Sequence, residues 1–178
     1  MKMKSIAMAT FMALGLASAA NAADQGHGKV TFKGAIIDAP CSISPSSIDQ
    51  TVELGQISNM ALVDGGKSTP RPFEITLENC DITKLTKGVQ LTFSGAAASF
   101  DNTNKTLGIV GTGAGAGVQI TNGSGNVVTL GTAAPFQQVQ NGNNTLNFAA
   151  YLKGNGGDID TITAGDFSSV ADFTLSYE

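Results

Sequence analysis

The sequence has few of the side chains that most enzymes use for proton transfer and nucleophilic attack. Its 178 residues include no tryptophan, two cysteines and a single histidine, His27, which lies in the polar, glycine-rich segment "ADQGHGK". A catalytic triad would have to use His27, and the chain has no G-x-S-x-G motif to present a serine nucleophile. The composition therefore lacks the side chains that a catalytic site would need, and we predict that the chain is not an enzyme.

Charge is also scarce, and basic residues are fewer than acidic ones. Charged residues make up 13% of the chain. Without Lys2 and Lys4, 8 basic residues remain against 14 acidic ones, a net charge of −6. Proteins that bind nucleic acid carry clustered lysine and arginine to neutralise phosphates. We therefore expect no nucleic-acid partner.

Two short segments could bind a ligand, but each lacks part of the necessary pattern. Asp158 and Asp160 lie two residues apart in "GNGGDIDT", without the longer series of oxygen ligands that a Ca²⁺ loop uses. The glycine-rich stretch "GIVGTGAGAG" has neither the lysine nor the following helix of a phosphate loop. We interpret both as loops, the second a flexible one between strands, and predict no metal and no cofactor.

The N-terminus has the layout of a cleaved secretory signal. Lys2 and Lys4 precede an uncharged apolar run over residues 6–20, and "ANA" at residues 20–22 provides small residues for cleavage. A membrane anchor is the alternative, but the run is shorter than the ~20 residues that a spanning helix needs. We predict a signal peptide over residues 1–22 and a mature chain that begins at Ala23.

Export bears on the two cysteines, Cys41 and Cys80. A single pair of cysteines in an exported chain favours a disulfide. Shared binding of a metal by both thiols is the alternative, and it lacks nearby histidine or cysteine ligands. We predict a Cys41–Cys80 disulfide.

After residue 22 the chain alternates short β-forming runs with turn residues. "FEITLENC" and "VQLTF" place their large apolar residues at every second position. "VQITNGSGNVVTL" is typical of a hairpin around Asn122-Gly123 and Gly125-Asn126. Many short strands with frequent turns indicate an all-β sandwich or barrel. The predicted strands are residues 30–37, 51–54, 73–78, 89–93, 117–121, 127–130, 147–152 and 170–177.

The two ends of the mature chain share a strong alternation. In the last strand, Phe173, Leu175 and Tyr177 occupy one parity and mostly polar residues the other. Near the N-terminus, one parity consists of apolar residues and glycines. The other parity is polar and basic, with His27, Lys29, Thr31 and Lys33. The N-terminal segment carries little that its own domain could bury, and it suits a tether whose apolar side fits a groove on another molecule. The parity of apolar residues and glycines contains Gly26, Gly28, Val30, Phe32 and Gly34.

These residues carry a family resemblance across the whole mature chain. It resembles the major structural subunits of chaperone–usher fimbriae, especially the type 1 pilin group of Gram-negative bacteria. The matching segments are "VTFKGAIIDAPCSI", "QTVELGQI", "PFEITLENCD", "GVQI" and "DFTLSYE". Two further matches are the aromatic residue next to last, Tyr177, and the glycine fourteenth from the C-terminus, Gly165.

The resemblance implies an incomplete immunoglobulin-like sandwich that lacks its last strand. Its C-terminal strand, residues 170–177, would border an open groove. A periplasmic chaperone would fill that groove first, and at an outer-membrane usher the N-terminal extension of another subunit would replace it. The resemblance thus implies a shaft subunit that is exported through the periplasm to an adhesive fimbria on the cell surface. The domain boundaries would be a signal peptide over residues 1–22, a donor-strand extension over 23–34 and a pilin domain over 35–178.

The resemblance also assigns roles to individual residues. The donor strand would present Gly26, Gly28, Val30 and Phe32, although Gly26 departs from the family pattern, in which a side chain often enters the last pocket. The chaperone would contact Gly165, Phe173, Leu175 and Tyr177. Three alternatives stay open: Val30 and Phe32 could pair within their own domain, the chain could be a minor fimbrial subunit or a lectin-like receptor-binding module, or it could be a secreted enzyme.

Overall fold

A computed structural model describes residues 27–83 and 85–178 of the chain. It divides into two units, Met1–Ile36 and Ile37–Glu178. The predicted signal peptide and Gly26 lie outside the described residues. Described residues of the first unit form no helix or strand, so the prediction of a strand over residues 30–37 is wrong for the isolated chain. The physical reason is that a strand needs a hydrogen-bonded neighbour, and none of the described strands pairs with this segment.

The second unit is built from antiparallel strands, as the alternation and turn residues predict. The helical parts among its described residues are one short helix, α1 (Pro45–Ile48), and three single 3₁₀ turns. The turns are at Asn59–Ala61, Val63–Gly65 and Ile159–Thr161. Within the part of the chain that the structure describes, no helix is long and apolar enough to cross a membrane. The elements are β1 Ser42–Ile43, α1 Pro45–Ile48, β2 Arg71–Cys80, β3 Val89–Ser94, β4 Leu107–Gly108, β5 Val110–Gly111, β6 Ala116–Asn122, β7 Gly142–Gly154, β8 Phe167–Ser168 and β9 Asp172–Tyr177.

The strands form one large sheet and two small ones. The large sheet has the order β1-β2-β7-β6-β4, while β3 pairs with β9 and β5 pairs with β8. Aromatic rings join the large sheet to the β3–β9 pair: Phe93 of β3 meets Phe73 of β2 at 6.2 Å between centroids and Phe148 of β7 at 5.1 Å. The inner faces of the two sheets thus share one apolar core, and the predicted all-β, incomplete immunoglobulin-like sandwich is confirmed.

Five of the eight predicted strands are observed, with ends shifted by a few residues. Two more predictions are wrong in detail. Residues 51–54 are extended but belong to no sheet, and residues 127–130 contribute only one bridge, from Val127 to Thr121. The second arm of the predicted hairpin nevertheless runs back along β6, since the N–H of Val128 donates to the carbonyl of Ile120 at 2.9 Å. Of the two predicted turn pairs, Gly125-Asn126 provides the left-handed residue, Gly125 with φ of 81°, whereas neither Asn122 nor Gly123 has a positive φ.

The predicted disulfide between Cys41 and Cys80 is confirmed. It links residues 39 positions apart, one just before β1 and the other at the end of β2. β1 pairs with the same end of β2, with Ser42 opposite Glu78 and Ile43 opposite Leu77. The disulfide therefore fastens the start of β1, the edge strand of the large sheet, to the end of its neighbour β2.

Candidate functional site

The last strand has a neighbour on one side only. β9 pairs with β3 along its whole length, with Phe173 opposite Phe93, Leu175 opposite Leu91 and Tyr177 opposite Val89. None of the other described strands pairs with the second edge of β9. A strand with an open edge presents unpaired N–H and C=O groups, which can pair with another chain.

The hydrogen bonds at the end of the strand show which backbone groups face the open edge. Glu178 and Gly88 exchange two backbone hydrogen bonds, of 3.2 Å and 3.0 Å. Because hydrogen-bonded and non-bonded pairs alternate in an antiparallel ladder, Ser176, Thr174 and Asp172 also bond to β3. The backbone groups of the alternate residues, Phe173, Leu175 and Tyr177, therefore point toward the open edge.

β3 lacks such an opening, because the following loop covers its second edge. Val89 and Gln137 exchange two backbone hydrogen bonds, of 2.9 Å and 2.8 Å. The N–H of Ala134 donates to the carbonyl of Leu91, and that of Gly131 to the carbonyl of Phe93. Of the two strands in this sheet, β9 alone leaves an edge exposed among the described residues.

A groove of about 1400 Å³ opens beside the start of β9, where Asp172 and Phe173 line it. One wall, here called the first rim, is residues 49–58, and the opposite wall, the second rim, is residues 163–171. Between them lies the apolar interior of the sandwich, including Phe73, Phe93, Val118 and Leu152. The groove thus opens onto side chains that a complete sandwich would cover with another strand.

The first rim contains the segment that the sequence predicts as a strand over residues 51–54. Val52 and Leu54 are half-buried toward the groove, and Ile57 joins them because Gly55, with φ of 80°, changes the alternation. Residues 51–57 make no backbone–backbone hydrogen bond with any described residue. The segment therefore has the shape of a strand but lacks the ladder partner that would make it one.

The second rim rests on the glycine-rich stretch that the sequence suggested was a flexible loop. A β-carbon on Gly165 would lie 2.4 Å from Oγ1 of Thr112 and 2.6 Å from the backbone N of Gly113. The N–H groups of Thr112 and Gly113 both donate to the carbonyl of Asp166, at 3.0 Å each. Glycine at 165 lets the two backbones touch, so the stretch over residues 111–115 is an ordered support for this rim.

The predicted chaperone-binding residues on β9 share one face. Phe173, Leu175 and Tyr177 are half-buried and pack against the core, whereas Asp172, Thr174 and Ser176 are exposed. Burial raises the pKa of the Tyr177 hydroxyl. Phe173, Leu175 and Tyr177 thus lie on the strand with the open edge, and Gly165 lies earlier in the same segment, in the second rim.

The predicted donor residues are exposed where the structure describes them. Val30 is 74% and Phe32 is 90% exposed, and a β-carbon on Gly28 would meet no described atom within 4 Å. Contiguous exposed apolar surface can mark a site that binds a partner. Lys29 and Lys33, on the other parity, are exposed as well.

The structure offers no metal site in the part of the chain that it describes. No group of three or more histidine, cysteine or acidic side chains comes together in residues 27–83 and 85–178. Asp158 and Asp160 lie next to and in the 3₁₀ turn Ile159–Thr161, just before the second rim, and neither lines the groove. Sequence reasoning overlooked the two rims, although the alternation of Val52 and Leu54 could have suggested the first.

Comparisons with known proteins match this architecture. A family model described as Fimbrial protein matches residues 30–178. The chain is 56% identical to the Fimbria A protein of Serratia marcescens over 178 residues, which is all of both chains. It is 48% identical to the Major MR/P fimbria protein of Proteus mirabilis over 179 residues, again with both chains fully covered.

Solved structures show the same similarity. A chaperone–usher pilus structure that addresses rod uncoiling matches with a TM-score of 0.75 and 36% identity, covering 86% of this chain and 97% of that one. The P pilus rod subunit PapA matches with a TM-score of 0.70 and 34% identity, covering 79% of this chain and 100% of that one.

Proposed function

This chain belongs to the fimbrial protein family, and we propose that it polymerises by donor-strand exchange into the shaft of an adhesive surface fimbria. It is a chaperone–usher major subunit, a structural protein of a surface fimbria and not an enzyme. In the proposed exchange, the extension of one copy, residues 23–34, enters the groove in the pilin domain, residues 35–178, of the next copy.

The unpaired edge of β9 carries this proposal. The backbone groups of Phe173, Leu175 and Tyr177 point to that edge, and the groove beside it exposes the sandwich interior. Unpaired backbone groups and wet apolar surface both cost free energy. An inserted strand corrects both at once, as in the β-strand addition between chaperones and pilins.

The N-terminal extension has the right pattern for the inserted strand. Its apolar parity, Gly26, Gly28, Val30 and Phe32, would enter the groove, and its polar parity would face solvent. Burial of Val30 and Phe32 would contribute roughly 1.5–3 kcal/mol each. Each new ladder hydrogen bond would add about 0.5–1.5 kcal/mol net. The extension would therefore bind tightly although its described residues, 27–34, form no strand in the isolated chain.

A second partner is needed before assembly, because an open strand edge is an aggregation hazard. We propose that a periplasmic chaperone covers the groove after the signal peptide, residues 1–22, is cleaved. It would contact Gly165 in the second rim and Phe173, Leu175 and Tyr177 on β9, the strand with the open edge. An outer-membrane usher would then exchange the chaperone for the extension of the next copy.

The test replaces Gly28 with leucine. A leucine at this position would have to fit a slot sized for backbone, and such overpacking costs about 1–3 kcal/mol. The change should spare folding, since no described atom lies within 4 Å of a β-carbon at Gly28. Chaperone complexes of Gly28→Leu should therefore form normally, whereas polymers followed on gels without boiling should form slowly or not at all.

Thr31→Leu is the matched control, because Thr31 has the opposite, solvent-facing parity. It adds a leucine three residues away and should polymerise close to the parent rate. Parent-like polymerisation of Gly28→Leu, or a block in Thr31→Leu instead, would show that the proposed groove-facing side is wrong.

A further inference from the structure

Two lysines lie on the solvent-facing side of the N-terminal extension. Lys29 and Lys33 are exposed and lie four positions apart along the chain. In an extended strand that separation corresponds to about 13 Å on one face. If the apolar parity entered a groove, both ammonium groups would stand above the groove and between its two rims.

The first rim carries two carboxylates with the same spacing. Asp49 and Glu53 are exposed, line the groove and are also four residues apart. Asp49 has an extended backbone, with φ of −141° and ψ of 102°, so the extended segment begins there. Val52 and Leu54, on the other parity, turn toward the groove. Asp49 and Glu53 therefore belong to the outer face of this rim.

These four charges form no ion pair with one another or with any other residue that the structure describes. Among the described residues, an ion pair of 4.0 Å or less involves none of Lys29, Lys33, Asp49 and Glu53. Asp172, the first residue of β9, directly follows the second rim and adds a further exposed carboxylate to the lining of the groove. Both walls of the groove are thus acidic where the extension is basic.

We infer that Lys29 and Lys33 of one copy pair with Asp49 and Glu53 of the next copy and set the register of the inserted strand. The inference rests on the proposed donor-strand exchange and adds its specificity-determining residues. Neighbouring strands lie about 4.8 Å apart, within reach of lysine and carboxylate side chains. Equal spacing lets both pairs form together whichever way the strand runs: Lys29 with Asp49 and Lys33 with Glu53, or the reverse.

Alternation alone leaves the register incompletely defined. A slip of one residue would put the lysines into the apolar groove and is excluded. A slip of two residues keeps every side chain on its proper face and moves the strand by about 6–7 Å. Such a slip separates one or both lysines from their carboxylates, so the charge pairs disfavour it where parity cannot.

The experiment uses the full-length mature protein as receiver and a fluorescent peptide of residues 23–36 as donor. Association and dissociation are followed by anisotropy in about 0.01 M and about 1 M salt, because exposed pairs are screened at high salt. Lys29→Gln and Lys33→Gln peptides should each bind about two- to fivefold more weakly at low salt. The differences should vanish at high salt, and a Thr31→Gln peptide should bind like the parent.

Charge exchange then identifies the pairs. A Glu53→Lys receiver should bind the parent peptide more weakly and recover with either the Lys33→Glu or the Lys29→Glu peptide, and the one that recovers gives the strand direction. Asp158→Lys is the control receiver, since it makes the same charge change outside the groove.

Two results would overturn the inference, and they differ. If the parent, Lys29→Gln and Lys33→Gln peptides bind equally well at low salt, the charge pairing is wrong and the proposed exchange stands. If the parent peptide binds at neither salt concentration, the proposed exchange fails together with the inference.

Discussion

Phe93 and Phe173 lie opposite each other on β3 and β9, with ring centroids 6.5 Å apart and ring planes inclined by 64°. Phe93 is buried, and its ring also meets that of Phe148 at 5.1 Å. Phe173 is only half-buried because its other side borders the groove. This pair therefore connects the buried core to β9, the strand with the open edge.

Phe173→Ala should destabilise the isolated subunit by about 2 kcal/mol, below the 3–5 kcal/mol typical of a fully buried phenylalanine. Its effect on donor-peptide binding should be additional, because the groove loses part of its wall. Denaturant unfolding measures the first effect, and anisotropy with the peptide measures the second. Thr174→Ala, on the exposed parity, should change stability by no more than about 0.5 kcal/mol. Equal stability of the two variants would contradict the packing described here.

Gly165→Ala should lift the second rim from its support. The new methyl group would lie 2.4 Å from Oγ1 of Thr112 and 2.6 Å from the backbone N of Gly113, and relief of this contact should cost roughly 1–3 kcal/mol. Hydrogen exchange should accelerate at Thr163, whose N–H donates to the carbonyl of Ala114. Gly123→Ala is the control, since its methyl group would come no closer than 3.3 Å to another residue. Unchanged protection at Thr163 would show that this rim does not depend on the glycine.

Cys80→Ser should lower the free energy of unfolding by roughly 4 kcal/mol, the value that the chain-entropy model gives for a loop of about 40 residues. That is a large part of the 5–15 kcal/mol typical of a domain, so the variant should be recovered poorly from the periplasm. Reduction of the parent protein should produce the same loss in denaturant unfolding. A stability loss below about 1 kcal/mol in both measurements would contradict the prediction.

The free energy of unfolding should fall at alkaline pH through Tyr177. Burial raises the pKa of its hydroxyl above the ordinary value of 10.0. The folded protein thus disfavours the phenolate, so this contribution is complete below pH 10 and is lost as the pH rises through the folded pKa. Tyr177→Phe removes the titration and should flatten the pH dependence above about pH 10. Parallel curves for the two proteins would rule out this linkage.

Alternation along single segments predicted much of the fold. Phe73, Ile75 and Leu77 alternate in β2, and β9 alternates in the same way, so local pattern alone located these strands. The disulfide followed from export and a single cysteine pair. The matching segments predicted the family, which the comparisons confirm. The roles of Gly26, Gly28, Val30, Phe32, Gly165, Phe173, Leu175 and Tyr177 stay predictions.

Strand-like segments without partners are where sequence reasoning failed. Residues 30–37 and 51–54 have the alternation of strands, but neither has a ladder neighbour among the described residues. Alternation reports how side chains distribute between two faces, whereas a strand also needs another backbone at hydrogen-bonding distance. Both segments belong to the proposed exchange, in which the missing backbone comes from another copy.

The sequence by itself determined which residues could be buried, since the spacing of apolar side chains is a local property of the chain. Only the tertiary structure decided which edge stays open, because that depends on which distant segments meet. Leu91 and Leu175 are 84 positions apart in the chain yet opposite each other in the sheet. In the same way, the glycine-rich stretch supports the second rim because the fold places Gly113 against Gly165. Contacts of this kind arise from the packing of the whole sandwich, and no local pattern encodes them.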